Sequence, residues 1–325
     1  MKAIVQTEYG SAEVLRLADI GQPMITENFV LVRVQAAAVH AGDWHLMRGQ
    51  PLIARLMFGG LLKPKFKTLG CDVAGEVEAV GGHVTQFKPG DQVFGDLSES
   101  GFGAFAEYVC VPEKALVLKP ANVTFEQAAA VPVSALAALQ GLRDVGQLQA
   151  GQTILVKGAG GGVGSFAVQI AKVLGAEVSA MCSHGKMERV RSLNPSHLFD
   201  SAMDWMQIDQ QYDLILDTAA YRSVWDYKRL LKPDGVYVLV GGSMARLFQV
   251  MLFGALMGKL MNRRLKCLVS KPNQADLEVL RNWLETEQLK PCLDRSYLLA
   301  EVPEAIRYVE QGKAQGKVTI KILVD

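Results

Sequence analysis

The chain has 325 residues, enough for two domains, with half of them apolar and 21% charged, as in soluble globular proteins. A net charge of +1 leaves no acidic or basic excess to attract nucleic acid or a membrane surface, so neither partner is expected. The five cysteines (Cys71, Cys110, Cys182, Cys267 and Cys292) form no C-x-x-C pair, which argues against a zinc lobe or disulfide framework and for a reducing, cytoplasmic setting.

Residues 1–9 lack a long apolar run and a small-residue cleavage site, and read as a first strand. Residues 29–35 alternate apolar and polar, residues 72–80 more loosely; both predict half-buried strands. Lys88-Pro-Gly-Asp91 is a turn into a short strand at 92–94, and residues 101–109 predict another strand after a glycine-rich loop. Thr124 with Gln127 makes a capping box for a helix over 125–130. Pro132 interrupts, and a second helix is expected over 134–145.

From here strands and helices alternate. Residues 153–157 predict a strand, 176–182 a second, 197–199 a short one and 212–217 a fourth. Helices are expected at 165–174, 186–193 and 224–231, before a strand at 236–240 that ends on Gly241-Gly242. Residues 244–261 are nearly all apolar, and Gly254 and Gly258 make G-x-x-x-G. The segment lies between two strands of one expected sheet, so it is read as a buried helix or pocket wall, not a membrane span. Residues 265–269 are a sixth candidate strand and 275–287 a helix. Strands at 289–299 and 317–324 flank a last helix at 303–311, without helical crossovers.

The organising motif is the strand 153–157, its glycine burst and the following helix. Gly158, Gly161 and Gly164 are spaced G-x-x-G-x-x-G. Lacking Cβ, glycines let the backbone turn tightly and approach a pyrophosphate, which N–H groups at a helix start can hold. Gly158, Ala159, Gly161, Gly162, Val163 and Gly164 are therefore the expected dinucleotide cradle. Alternating strands and helices imply a doubly wound parallel sheet.

Several motifs together resemble the medium-chain dehydrogenase/reductase superfamily, and most nearly its zinc-independent quinone oxidoreductase (zeta-crystallin-like) branch. They are Ala38-Val-His-Ala-Gly-Asp43, Leu69-Gly-Cys-Asp-Val-Ala-Gly-Glu-Val77, Lys88-Pro-Gly-Asp-Gln-Val-Phe-Gly95, Phe105-Ala-Glu-Tyr108, Ala130-Val-Pro-Val-Ser134, the glycine turn and Gly316-Lys-Val318. The resemblance runs end to end. It implies an α/β protein with a Rossmann domain (122–289) inserted in a GroES-like, β-rich catalytic domain (1–121, completed by 290–325). It also implies hydride transfer in the cleft between them, and a homodimer joined through the sixth strand.

An acid at the end of the second Rossmann strand would favour NAD by holding the ribose 2′-OH. Here Cys182-Ser-His-Gly-Lys186 stands at that point, with Arg189 one turn later. Ser183, Lys186 and Arg189 suit a 2′-phosphate, so NADPH is the expected cofactor. Ser134 and Gly241 complete the expected cofactor contacts.

In zinc-dependent relatives the resemblance places ligands at the positions of His40 and Cys71 and in the 130s region. His40 and Cys71 could bind zinc, but residues 130–135 offer no ligand, and two fall short of a catalytic site. No metal is expected. His40 is the candidate proton or hydrogen-bond donor to a developing oxyanion, Asp43 would orient it, and Trp44 or His45 line the pocket. Residues 48–67 read either as an apolar lid facing 244–261 or as plain packing.

The expected function is NADPH-dependent reduction of a quinone or α,β-unsaturated carbonyl, with a small apolar substrate. The alternatives are an alcohol or aldehyde dehydrogenase of the same fold, zinc-assisted through His40 and Cys71, and a non-catalytic NADPH-binding protein.

Overall fold

In the computed structural model, residues 1–50, 52, 55 and 60–322 are described. The chain divides into one unit of Met1–Leu136 with Pro272–Asp325, and another of Ala137–Lys271.

The first unit begins with the antiparallel pair β1 (Lys2–Val5) and β2 (Arg16–Asp19). Its spine is β3 (Phe29–Val39), followed by helix α1 (Ala41–Arg48). Then come β4 (Asp72–Val80), β5 (Gln92–Asp96), β6 (Tyr108–Pro112) and β7 (Leu116–Leu118). β3 pairs with β4 and β6, and β4–β5–β7 continue the antiparallel sheet. Helix α2 (Phe125–Ala129) packs on β3 and β4 through buried Ala128 and Ala129, whose small side chains permit close approach. Its capping box is made: Thr124 N–H donates to Gln127 Oε1 (2.8 Å) and Gln127 N–H to Thr124 Oγ1 (3.2 Å).

Helix α3 (Pro132–Gln140) carries the chain into the second unit. There β8 (Thr153–Lys157), helix α4 (Gly162–Val173), β9 (Glu177–Cys182), helix α5 (Met187–Arg191), β10 (His197–Asp200), β11 (Tyr212–Asp217) and β12 (Leu231–Leu239) follow in turn. Helix α6 (Met244–Met261) and β13 (Arg264–Cys267) complete it. The strands are parallel in the order β10-β9-β8-β11-β12-β13, the doubly wound arrangement. The order reverses between β8 and β11, where ligands bind in such sheets. Below that point Asp217, wholly buried, accepts from Lys157 Nζ (3.2 Å), the Ala219 N–H (3.0 Å), Tyr237 OH (2.9 Å) and Tyr227 OH.

The chain then returns to the first unit with helix α7 (Gln274–Glu285), β14 (Leu293–Leu298), helix α8 (Val302–Glu310) and β15 (Lys317–Lys321). β15 pairs antiparallel with β3 and parallel with β14, so this tail extends the first sheet; contrary to expectation, α8 is a helical crossover between β14 and β15, as a parallel pair requires.

Four further expectations need correction. The second unit is narrower than 122–289, because α2 packs on β3 and β4 and α7 on β7. No strand runs over 101–107: Gly101, Phe102 and Gly103 all have positive φ, outside the extended region, and β6 starts at Tyr108. The helix expected over 224–231 is a single 3₁₀ turn, Val224–Tyr227, and Leu231 already pairs with Tyr212 in the sheet. Helix α6 is not buried. Only 28% of its apolar window is covered, because one face alone (Val250, Gly254, Met257, Gly258 and Met261) is buried, packed toward β13.

Candidate active site

The glycine turn leaves β8 at Gly158, whose φ of +80° suits glycine, and a Cβ there would lie 2.3 Å from Thr218 Oγ1. Gly164 is needed for closeness instead, since its Cβ would stand 2.1 Å from the Gly158 carbonyl oxygen. Gly161 caps α4 without a side chain, so the first-turn N–H groups of Gly162, Val163 and Gly164 have no intrahelical acceptor and point an anion-binding end outward. The Ala159 N–H is spent on Met181 O (3.0 Å), so Ala159 helps shape the turn instead of holding a ligand by its amide.

Beside this turn lies the segment that ends β9. The Lys186 stem runs against Gly160, where an added Cβ would meet Lys186 Cβ at 2.7 Å. Ser183 is exposed and opens the 3₁₀ turn His184–Lys186, and Arg189 is half-buried on α5. Asp200, absent from the expected set, stands opposite Cys182 in register on β10; His184 Nδ1 lies 3.1 Å from its Oδ2. Gly241 sits by the β11 loop, its carbonyl accepting from the Ala220 N–H (2.9 Å). A cavity of about 460 Å³ is lined by Met203, Trp205 and Met206 after β10 and Arg222 and Asp226 after β11. The Arg222 guanidinium lies 4.4 Å over the Trp205 ring.

In the first unit, His40 is the N-cap of α1. Asp43 Oδ2 accepts the His40 backbone N–H (2.9 Å), and the Gly42 N–H donates to His40 Nδ1 (2.9 Å). That second bond fixes the tautomer. With Nδ1 accepting, the neutral ring carries its proton on Nε2, which is buried and has no hydrogen-bond partner among the described residues. His40 Nε2 is 3.7 Å from Asp43 Oδ2.

Asp43 supplies the third potential ligand that the sequence lacked: ligand atoms of His40, Asp43 and Cys71 lie within 4.8 Å of one another. The chemistry of this set does not fit a metal. A ligating imidazole donates its other N–H, whereas His40 accepts there and has no lone pair left on Nε2. Burial, and then Asp43, Asp96 and Asp72, push the pKa of the Cys71 thiol well up. The cation that meets this acidic group is Lys317, buried, with Nζ 2.7 Å from Asp72 Oδ2 and 3.1 Å from Ser134 Oγ.

Ser134 is thus committed to an interior network and is 2% exposed, not free for a cofactor. Trp44 packs on the hydrophobic core and stacks on His45, whose ring approaches Gln50 O (3.1 Å). Of the expected lid, residues 51, 53, 54 and 56–59 lie outside those described. Its described part holds on to Tyr9: Arg55 lies 4.3 Å over the ring, and Tyr9 OH donates to Gly60 O (2.7 Å).

Family profiles described as an alcohol dehydrogenase GroES-like domain and a zinc-binding dehydrogenase match residues 26–121 and 195–320. A 2-methylene-furan-3-one reductase from Solanum lycopersicum is 35% identical over 332 residues, covering 98% of this chain and 79% of its own. An NADPH-dependent alkenal/one oxidoreductase, chloroplastic, from Arabidopsis thaliana is 33% identical over 334 residues, with the same coverage. The structure of the quinone oxidoreductase from Coxiella burnetii matches with a TM-score of 0.86 at 26% identity, over 99% of both chains. The chain belongs to the medium-chain dehydrogenase/reductase superfamily, in its quinone and alkenal oxidoreductase branch. It is an oxidoreductase that uses a pyridine nucleotide.

The acids around Cys71 give a pH signature. Burial, and secondly Asp72, push the Asp96 carboxyl up to about 6 from an ordinary 3.8. The folded chain therefore holds this proton more tightly than the unfolded one. The ionised group costs stability above pH 6, and the cost fades as pH falls towards 4. Asp96→Asn, which can keep the acceptor for the Ser98 N–H, should raise unfolding free energy near neutral pH by up to about 3 kcal/mol and flatten this dependence. Denaturant melts across that range check it; an unchanged pH slope would contradict the assignment.

Proposed function

We propose that this chain is an NADPH-dependent, metal-independent reductase of α,β-unsaturated carbonyls or quinones. The observation that carries the reading is His40: a partly exposed imidazole whose Nε2 is buried, unpaired and protonated, with no lone pair for a metal. The names of its relatives, a methylene-furanone reductase and an alkenal/one oxidoreductase, support the substrate class.

Bound NADPH would supply a hydride. The chain's residues would do the rest. The N–H groups of Gly162, Val163 and Gly164 hold the pyrophosphate at the helix start. Ser183, Lys186 and Arg189 take the 2′-phosphate, and Asp200 is engaged with His184. His40 donates from Nε2 to the substrate oxygen on which negative charge gathers, which lowers the barrier where that charge develops. Asp43 is a positioning residue, because it holds the His40 backbone, not the ring. The reading includes a cytoplasmic homodimer paired along β13, the edge strand of its sheet.

The second reading is a zinc-assisted alcohol or aldehyde dehydrogenase, favoured by the 4.8 Å grouping of His40, Asp43 and Cys71. Metal content separates the two. Chelator-dialysed protein should oxidise NADPH with an enone or quinone at full rate and without stoichiometric zinc; activity lost on chelation and restored by zinc would reverse the ranking. For the cofactor, Lys186→Ala should raise KM for NADPH roughly tenfold and leave NADH nearly unchanged. Equal losses with both would remove Lys186 from phosphate recognition.

A further inference from the structure

The least expected surface of the molecule is α6. Phe248, Leu252, Leu256 and Leu260 form one row at i, i+4 spacing, with Met251 and Phe253 beside it. Leu252, Leu256 and Leu260 are 71%, 61% and 65% exposed. The opposite face is anchored: Val250, Gly254, Met257, Gly258 and Met261 are buried, and α6 packs on β13. The helix therefore lies along the surface of its sheet. Both its ends continue into strands of that sheet, so it cannot span a bilayer.

Charge decides what could cover the row. From residue 235 to residue 275 the chain has no Asp or Glu, and it carries Arg246, Lys259, Arg263, Arg264, Lys266 and Lys271. Arg246 stands at the start of the apolar row, and Lys259, Arg263 and Arg264 at its end. Three of these guanidiniums donate to neutral oxygens: Arg246 to Gln249 Oε1 (2.7 Å), Arg263 to Leu231 O (3.0 Å) and Arg264 to Asp234 O (3.0 Å). A second copy laid across the α6 row would set Arg246 and Lys259, both on α6, against like charge. An apolar row with cations at both ends instead matches an anionic bilayer, where the row enters the acyl boundary and the cations meet headgroup phosphates.

We propose that α6 docks the protein on anionic membrane surfaces, lying in the interface plane. This goes beyond the catalytic reading and does not depend on it, and it departs from the expectation, drawn from overall charge, of no membrane partner. The net charge of +1 averages away a cationic stretch that has no acid for forty residues.

The test is co-sedimentation of the full chain with vesicles of phosphatidylcholine alone and of phosphatidylcholine with phosphatidylglycerol. Binding should be at least about tenfold tighter to the anionic vesicles and should weaken with salt. Leu252→Glu with Leu256→Glu should abolish it while leaving NADPH oxidation with a soluble enone unchanged. Wild-type protein that stays in the supernatant, or that binds neutral vesicles equally well, overturns the proposal. So does a double variant that still binds, or one whose mass by light scattering halves, since the row would then be a contact between copies. The salt dependence of the unmodified protein keeps the test independent of how the variant folds.

Discussion

A buried charge must be paired, and two lysine–aspartate pairs organise the two units of this chain. In the Rossmann unit, Lys157 and Asp217 close the adjacent strands β8 and β11 where strand order reverses. Asp217 gathers four donors there, so the strand ends beneath the glycine turn cannot drift without stranding a charge. Removing one member of such a pair typically costs about 3–5 kcal/mol, a large share of a domain's stability. In the other unit Lys317 reaches from β15 to Asp72 at the start of β4, and Asp72 Oδ1 accepts the Val133 N–H (2.7 Å) at the start of α3. The same acid group surrounds Cys71 and borders His40.

The proposed function turns on the tautomer of His40. A histidine among acids and a cysteine is superficially a zinc site, and the ligand atoms are close enough for one. The proposed metal-free reading rests on a single backbone N–H: Gly42 donates to Nδ1 and leaves the proton on Nε2. The ring then offers a donor, which is what a carbonyl or quinone oxygen needs as it gains charge, and not a lone pair.

Much of this was legible in residue order. Strands β4 and β11 begin and end where the apolar patterns 72–80 and 212–217 do, and the Thr124–Gln127 capping box is made as its spacing required. Glycine spacing located the tight turn between β8 and α4 because close approach and positive φ are local demands. What escaped was long-range or directional. Tyr227, Tyr237 and Lys157 converge on Asp217 from 10, 20 and 60 residues away, a grouping that no local pattern encodes. Asp200 reaches the end of β9 only through strand register. Asp43 joins Cys71 through folding, and α6, apolar nearly all round, gave no hint of which face its sheet would leave uncovered.

The central claim is metal-free hydride delivery to a conjugated carbon with His40 holding the oxygen. Its most direct test is the product formed from an enone and 4-deuterated NADPH, read by NMR and mass spectrometry. The account predicts deuterium at the β-carbon, a solvent proton at the α-carbon and an intact carbonyl. Deuterium on the carbonyl carbon, with an allylic alcohol as product, would contradict it.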